Sequence, residues 1–497
     1  MERTKSTKGL ILKLALGIVL AITLITHLVA IKQTYIFQND EARDALIALK
    51  MIQNKKPVLL GPETSVGNMY LGPFYYYLMA PALMLANLDP VGPAVMAAFF
   101  GIATTFLIYL LGKRWHSPTV GVIAALFYAL SPIMVHHSRS SWNPNVIPFF
   151  VSLLLLLPDL TKPLLQLCFG LLVGILFQLH YVALILPGLL FIWQAYVFVK
   201  AKEYHPLVRF IGLALVGFLV TSAPFWLFEF RHNFVNSSAF ITYLSEKTSS
   251  TTVYPPYLNR FFANFRLLIN GALFSSSLTA TIPSFITWVG GIFFVLTLLL
   301  RTSPSTLLLA LSILLLSFLK ENMNIHYLAF LFPLTAVWFG SLFTLSKILR
   351  TFAAALCLYM LFHFYPSFAY ALTRTENVPV IRSRQTAAYI VKEAAGRPYN
   401  VVGSQGTFTN TISYFLAISN NPPQNDLQPL LFDICTGGPC KADEETTVLL
   451  YLTGPSHPSL IDYLGHPAIN EFTIPRKIVK NEWVTYDIFV ATIELEP

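Results

Sequence analysis

The chain has 497 residues, of which 55% are hydrophobic and only 11% charged. Water-soluble domains carry about 25% charged residues, so an aqueous globule of this size is excluded and a polytopic membrane protein is expected. The net charge of +9 does not indicate nucleic acid, because the Lys and Arg residues lie in short loops between apolar runs and build no basic stripe or aromatic-basic module.

In chain order, runs approaching or exceeding bilayer-crossing length are predicted near 14–31, 93–112, 119–135, 146–157, 164–179, 181–199, 207–227, 283–300, 305–319, 327–346 and 350–365, about 11 transmembrane helices. The first run lacks a small-residue cleavage site and is followed by further spans, which reads as a retained helix and not a cleaved signal. The stretches 73–88 and 267–278 are also apolar. Charge sets the parity. With residues 1–13 in the cytoplasm, the loops at Lys113-Arg114, Lys162, Lys200 to Arg209, Arg301 and Lys347 to Arg350 share that side. Those segments hold 13 Lys and Arg against the acids Glu2, Asp159 and Glu203. This holds if YLGPFYYYLMAPALML does not cross fully, so that stretch is expected as a helix in the outer interface, its three consecutive tyrosines half wet. The outer face then receives the first loop, 32–92, together with loops at 136–145, near 180, at 228–282 and at 320–326. The chain divides into a membrane domain, 1–365, and an extracytoplasmic segment, 366–497.

That C-terminal segment has ordinary polarity and is mildly acidic. RQTAAYIVKEAAG and TFTNTISYFLAI read as helices, and YNVVGS, TTVLLYLTG and WVTYDIFVATIE as strands, giving a small α/β domain. Cys168 and Cys357 lie in apolar runs and read as small core residues. Cys435 and Cys440, in CTGGPC, have glycines and a proline between them that would let the loop close into a disulfide in an oxidising compartment.

The first outer loop carries the chemistry. It begins QNDEARDALIALKMIQNKKP. Asn39 suits a helix N-cap, with Asp40 and Glu41 in the first turn, where the helix dipole favours negative charge. Asp40, Arg43 and Asp44 share one helical face. An ordinary capped amphipathic helix would look the same. The alternative is that Asp40, kept ionised at a helix start, is a general base at the membrane surface.

The Asp-Glu pair shortly after the first span, followed by the aromatic helix of GPFYYYLMAP, resembles the first-loop motif of the GT-C superfamily of membrane glycosyltransferases. Within it the chain is most similar to glycosyltransferase family 39, the protein O-mannosyltransferase and aminoarabinose-transferase group. The segment SPIMVHHSRSSWNPNVIPFFVSL resembles that family's second outer loop, with Arg139 in the place of its arginine. Asn143 and Asn145 stand where metal-using relatives carry an acid, which leaves the use of a divalent metal open and no metal ligand set assigned. KENMNIHYLAFLFPLTAVW resembles a third motif through Lys320, His326, Tyr327 and Pro333.

The resemblance implies transfer of a sugar from a polyprenyl-phosphate donor to an acceptor at the outer face, with inversion at the anomeric carbon. No cofactor is implied beyond that lipid-linked donor. In this reading Asp40 is the base and Glu41 its neighbour, and Arg139, Lys320 and His326 hold the departing phosphate. Arg43, Tyr70, Asn143, His180 and Tyr327 are candidates for lining the pocket. The bilayer and the lipid-linked donor are the expected partners, and the acceptor can be protein, lipid or glycan. A lipid-linked saccharide flippase would need ionisable residues at mid-span, which the runs almost entirely lack. A polysaccharide polymerase or ligase relies on arginines and histidine rather than an Asp-Glu pair after the first span. No P-loop, HExxH or GxSxG pattern is present.

Overall fold

The computed structural model describes residues 2–64, 69–157, 159–249, 255–273, 284–300, 303–319, 323–344, scattered positions between 347 and 373, and 376–403, 409–424, 428–436, 438, 440, 476–485 and 488–495. The helices of the membrane domain are α1 (Glu2–Leu28), α2 (Ile31–Thr34), α3 (Asn39–Asn54), α4 (Phe74–Leu85), α5 (Val91–Trp115), α6 (Pro118–Leu130), α7 (Pro132–His137) and α8 (Ile147–Leu156). They continue with α9 (Pro163–Leu179), α10 (Ile185–Lys200), α11 (Tyr204–Arg231), α12 (Val235–Ser249), α13 (Tyr257–Leu273), α14 (Ser284–Leu300), α15 (Pro304–Leu316) and α16 (Phe332–Leu342).

Among the described residues, five helical segments are long and apolar enough to cross a bilayer unaided: Gly9–Leu28, Val91–Trp115, Tyr181–Lys200, Tyr204–Arg231 and Ile325–Leu342. The last is buried along nearly its whole length. The peripheral helices instead expose large apolar side chains such as Trp193, Val208, Val220 and Phe230, a surface that only lipid would cover. The run predicted at 119–135 is broken. Pro132 opens α7, and the residue before a proline is driven out of the helical region, so Ser131 is extended (ψ 122°). The predicted run 350–365, with Cys357, lies mostly outside the described residues.

Helix α4, at 12 residues, is about 18 Å long and too short to cross the ~30 Å hydrocarbon core. Of its three tyrosines, Tyr77 is half-buried as expected and the other two are not. Tyr75 and Tyr76 are fully buried, and their hydroxyls bond Ser141 Oγ (3.0 Å) and Asp44 Oδ1 (3.2 Å).

The C-terminal domain contains α17 (Val378–Ala394), β1 (Tyr399–Gly403), α18 (Thr409–Ala417), β2 (Leu430–Thr436), β3 (Arg476–Thr485) and β4 (Ile488–Leu495). The sheet order is β1-β2-β4-β3, with β1 and β2 parallel and the other pairs antiparallel. Alternation along β2 sends Leu430, Phe432 and Ile434 into the main core and Leu431 and Cys435 into a small second core with Phe489, Ala491 and Ile493. Cys435 and Cys440 are joined by a disulfide beneath that second layer. The stretch WVTYDIFVATIE is not one strand: β3 ends at Thr485 and β4 returns from Ile488 beside it. TTVLLYLTG lies outside the described residues, and the sequence reading missed β2.

This domain rests on the chain just before α3. Asn377 Nδ2 donates to Tyr35 O (2.9 Å), Thr411 Oγ1 to Phe37 O (3.4 Å) and Tyr414 Oη to Leu88 O (2.8 Å). The Phe37 ring lies edge-on to Tyr414 at 5.2 Å.

Helices α9 and α11 approach closely because each is glycine where they cross. A Cβ at Gly170 would overlap the backbone of Ala214, and one at Gly217 that of Leu167. Gly170→Val is expected to destabilise the fold by about 1–3 kcal/mol through overpacking. It should lower the melting temperature in detergent, whereas Gly188→Val, with no atom within 4 Å of its Cβ, should leave it in place.

Candidate active site

The site is built on the first two turns of α3. The helix starts at Asn39, so the capping position falls to Gln38 and not to Asn39. Glu41, three residues on, reaches back and accepts the Gln38 N–H through Oε2 (3.1 Å), half of a capping box. Its other oxygen accepts from Ser140 Oγ (2.8 Å). Glu41 is 6% exposed and bonded on both oxygens, which makes it a clamp between α3 and the loop after α7. It does not join Asp40 as a group open to substrate.

Arg43 lies between two carboxylates. Its Nη1 meets Asp40 Oδ1 at 3.0 Å, and its Nη2 and Nε meet Asp44 Oδ1 at 2.9 and 3.0 Å. The Tyr76 hydroxyl donates to the same Asp44 oxygen. Asp40 keeps 48% of its side chain exposed while Asp44 has 0%, so the two acids differ in role despite sharing one guanidinium. Burial pushes Asp44 up to about 6, against the pull of Arg43 toward the charged form. Burial also raises Glu41, opposed by its bond from Ser140. Burial works against the charge on Arg43, but Asp44 and Asp40 hold it firmly protonated.

A hairpin-like stretch closes the back of this site. Glu63 and Tyr70 form an antiparallel bridge, backed by Gly61 N to Leu71 O at 2.8 Å. Both side chains lie within electrostatic reach of Arg43. Gly61 is required here, since any Cβ would overlap Gly72 O. The hairpin is pinned by Asn236, whose side chain pairs with the Tyr70 backbone (N to Oδ1 2.6 Å, Nδ2 to O 3.1 Å). The Tyr181 hydroxyl also donates to Tyr70 O.

The loop 138–146 ties the remaining candidates to this end of the bundle. Ser140 holds Glu41, Ser141 meets Tyr75, and Trp142 packs on His326 with ring centroids 4.4 Å apart. His326 also packs on Tyr327 (4.3 Å), and His180 on Tyr327 (4.9 Å). His180 is not poised as a cation: its Nδ1 accepts from Val182 N (3.3 Å), and burial lowers it to about 3. Burial lowers His136 and His137 as well.

Arg139 does not turn its fork toward an open site. Nη1 donates to Thr26 O (2.8 Å), and Nη2 to Val29 O (2.9 Å) and Thr34 Oγ1, which caps the carbonyl end of α1. Asn143 and Asn145 give their amides to Leu179 O (2.7 Å) and Ser140 O (2.8 Å). These donors hold the loop, and the buried Asn145 Oδ1 has no hydrogen-bond partner. Lys320 lies outside the described residues. The sequence reading had put Asp44 on the same face as Asp40 and Arg43 but did not connect it to the site. Its spacing from Asp40 was the available signal; its partner Tyr76, 32 residues further on, had none.

The arrangement of these helices, with a small α/β domain resting on the chain before α3, is a fold shared with solved structures. Solved structures that share it include ArnT from Cupriavidus metallidurans bound to undecaprenyl phosphate, with TM-score 0.60, 13% identity, and 96% of this chain and 97% of that one covered. ArnT in the apo state matches at TM-score 0.60 and 13% identity over 98% of both chains. The archaeal oligosaccharyltransferase AglB from Archaeoglobus fulgidus, in complex with an inhibitory peptide and a dolichol-phosphate, matches at TM-score 0.51 and 12% identity over 82% of this chain and 64% of that one. No protein-family model and no curated protein matches the chain.

The raised Asp44 carboxyl fixes the sign of a pH effect. Between its usual 3.8 and its folded value of about 6, the folded chain keeps a proton that the unfolded chain releases. This contribution to stability is present at low pH and lost as pH rises through about 6. The groups facing Asp44 are Arg43, Asp40 and Tyr76. Subtracting the melting temperature of Asp44→Asn from that of the wild type should give a difference that falls between pH ~4.5 and ~6.5. A flat difference would contradict the assignment.

Proposed function

We propose that the chain transfers a glycosyl group from a polyprenyl-phosphate-linked sugar to an acceptor at the outer face of the membrane, with Asp40 as general base and inversion at the anomeric carbon. The observation that carries this reading is the exposure of Asp40. Of the three acids in the first two turns of α3, Asp40 alone is open to solvent, while Glu41 and Asp44 are buried and bonded into the fold. A base must be reachable, and Asp40 keeps 48% of its side chain exposed while its carboxylate meets Arg43 at 3.0 Å. The shared fold with ArnT, solved with undecaprenyl phosphate, supports a lipid phosphate as the donor's carrier.

In the reaction the acceptor heteroatom attacks the anomeric carbon as its proton passes to Asp40. The bond from that carbon to the phosphate oxygen breaks, and its electron pair leaves with polyprenyl phosphate. Positive charge grows on the anomeric carbon and negative charge on the phosphate, so fixed cations near the leaving oxygen stabilise the transition state. Arg43 stands beside the base; Lys320 is proposed to meet the phosphate as a cation, and His326 to meet it through a ring N–H and not through charge. No step requires a metal, because a phosphate ester leaves readily when its charge is balanced.

Incubating the purified protein with a panel of polyprenyl-phosphate sugars should release free polyprenyl phosphate from one of them. Asp40→Asn should lower that turnover by ~10²-fold or more. Equal turnover in the two proteins would remove Asp40 from the role.

A further inference from the structure

Glu229, on the last turn of α11, is a buried carboxylate that the proposed reaction does not use. It is 0% exposed, and no cation pairs with it among the described residues. Its oxygens are met at the start of α12 instead. Oε1 accepts from Asn236 N (3.1 Å), and Oε2 from Ser237 N (2.8 Å) and the Ser237 hydroxyl. A carboxylate taken out of water needs such donors, and the unpaired N–H groups of a helix start supply them. That cap fixes Asn236, itself buried, with its amide turned to the first outer loop. Oδ1 accepts from Tyr70 N (2.6 Å) and Nδ2 donates to Tyr70 O (3.1 Å), the two bonds a neighbouring strand would make. The Tyr181 hydroxyl donates to the same carbonyl, and a Cβ on Gly72 would overlap the side chain of Gln178. The limb 70–72 leads straight into α4, where Tyr76 gives its hydroxyl to Asp44 Oδ1. That oxygen also takes Arg43, whose Nη1 meets Asp40.

We infer that Asn236, set by Glu229, is a positioning residue for the Asp40–Arg43–Asp44 triplet and acts through the Tyr76 hydroxyl. Its effect on turnover rests on the glycosyl-transfer reading given above. The path consists of hydrogen bonds and one short piece of chain whose backbone is paired, Gly61 N donating to Leu71 O (2.8 Å) and Leu71 N to Pro62 O (2.9 Å). Without the amide of Asn236, the Tyr70 N–H loses its acceptor and the Tyr70 carbonyl keeps the Tyr181 hydroxyl. A buried N–H left unpaired is unfavourable, so the limb shifts toward water and carries the start of α4 with it. Tyr76 then leaves Asp44, and Arg43 is no longer held between one fixed acid and one open acid. The position calls for an acceptor and a donor in fixed order, which an amide supplies and a carboxylate does not.

The test uses the full-length protein in detergent and reads amide hydrogen exchange by mass spectrometry. Asn236→Ala should speed exchange by ~10-fold or more from Tyr70 into the first turn of α4, while α9 and the body of α11 keep the wild-type rate. Glu229→Gln should give the same pattern more weakly. Asn236→Asp keeps the acceptor for Tyr70 N and loses the donor to Tyr70 O, and it decides the matter if the alanine variant loosens α9 and α11 as well. The second readout is turnover of whichever polyprenyl-phosphate sugar the wild type consumes. Asn236→Ala should lower kcat by ~10-fold and leave KM within about twofold, because the group is needed to place the base and not to bind the donor. Tyr76→Phe should lower kcat similarly, and adding it to Asn236→Ala should cost little more, since both act on one path. Faster exchange that stops before α4, an unchanged kcat, or losses that multiply in the double variant overturns the inference and leaves the glycosyl-transfer reading intact. A wild type that consumes no polyprenyl-phosphate sugar ends that reading, and the exchange pattern, which needs no substrate, then decides the inference on its own.

Discussion

The arrangement at the head of α3 depends on Arg43 being held between Asp40 and Asp44. A largely buried guanidinium is tolerable only with its hydrogen-bonding capacity met by carboxylates. Here one carboxylate is sealed from water and the other stands half open. The buried partner anchors the cation and the open partner keeps a face to solvent. Removing Asp44 would leave Arg43 on the exposed acid alone, and removing Arg43 would bring two carboxylates together with one of them in a dry setting. The rest of the site serves this triplet, with Tyr76 sharing the Asp44 oxygen and Glu41 setting the start of the helix.

Keeping that geometry at a membrane surface requires that α3 not drift, and three separate parts of the chain restrain it. The loop 138–146 reaches it through Ser140 and meets α4 through Ser141. The hairpin around Gly61 and Gly72 lies behind it, pinned by Asn236 from the segment after α11. The C-terminal domain grips the backbone at Tyr35 and Phe37, just ahead of the helix. None of these uses the Asp40 carboxylate, so the fold is fastened around it and leaves it half open. The C-terminal domain, read from sequence as a separate module, is by these bonds part of what positions the site.

Arg139 shows how charge alone misleads. In sequence it is a cation on an outer loop beside two histidines, a natural holder for phosphate. In the fold its donors go to the last carbonyls of α1, which a helix end in an apolar setting must otherwise leave unmet. The histidines follow the same pattern. Packed among aromatic rings, His180 stays neutral at physiological pH, and what it offers a ligand is a ring face or a lone pair and not charge.

The sequence by itself determined the membrane class, the five bilayer-length helices among the described residues, the helix carrying Asp40, Arg43 and Asp44, and the α/β character of the C-terminal domain. Those features rest on local facts: runs of apolar residues, spacing of three and four along a helix, and alternation along strands. Strand β2 escaped because LLFDICT is apolar on both faces, as a central strand covered on two sides must be, and so carries no alternation. The break at Ser131 was written in its proline. Which acid is buried and which is open was decided only by the tertiary structure. Asp40, Glu41 and Asp44 are chemically alike and lie within five residues. Their roles were set by Ser140 and Tyr76, brought from about a hundred and about thirty residues away, and no local pattern encodes which distant hydroxyl will arrive.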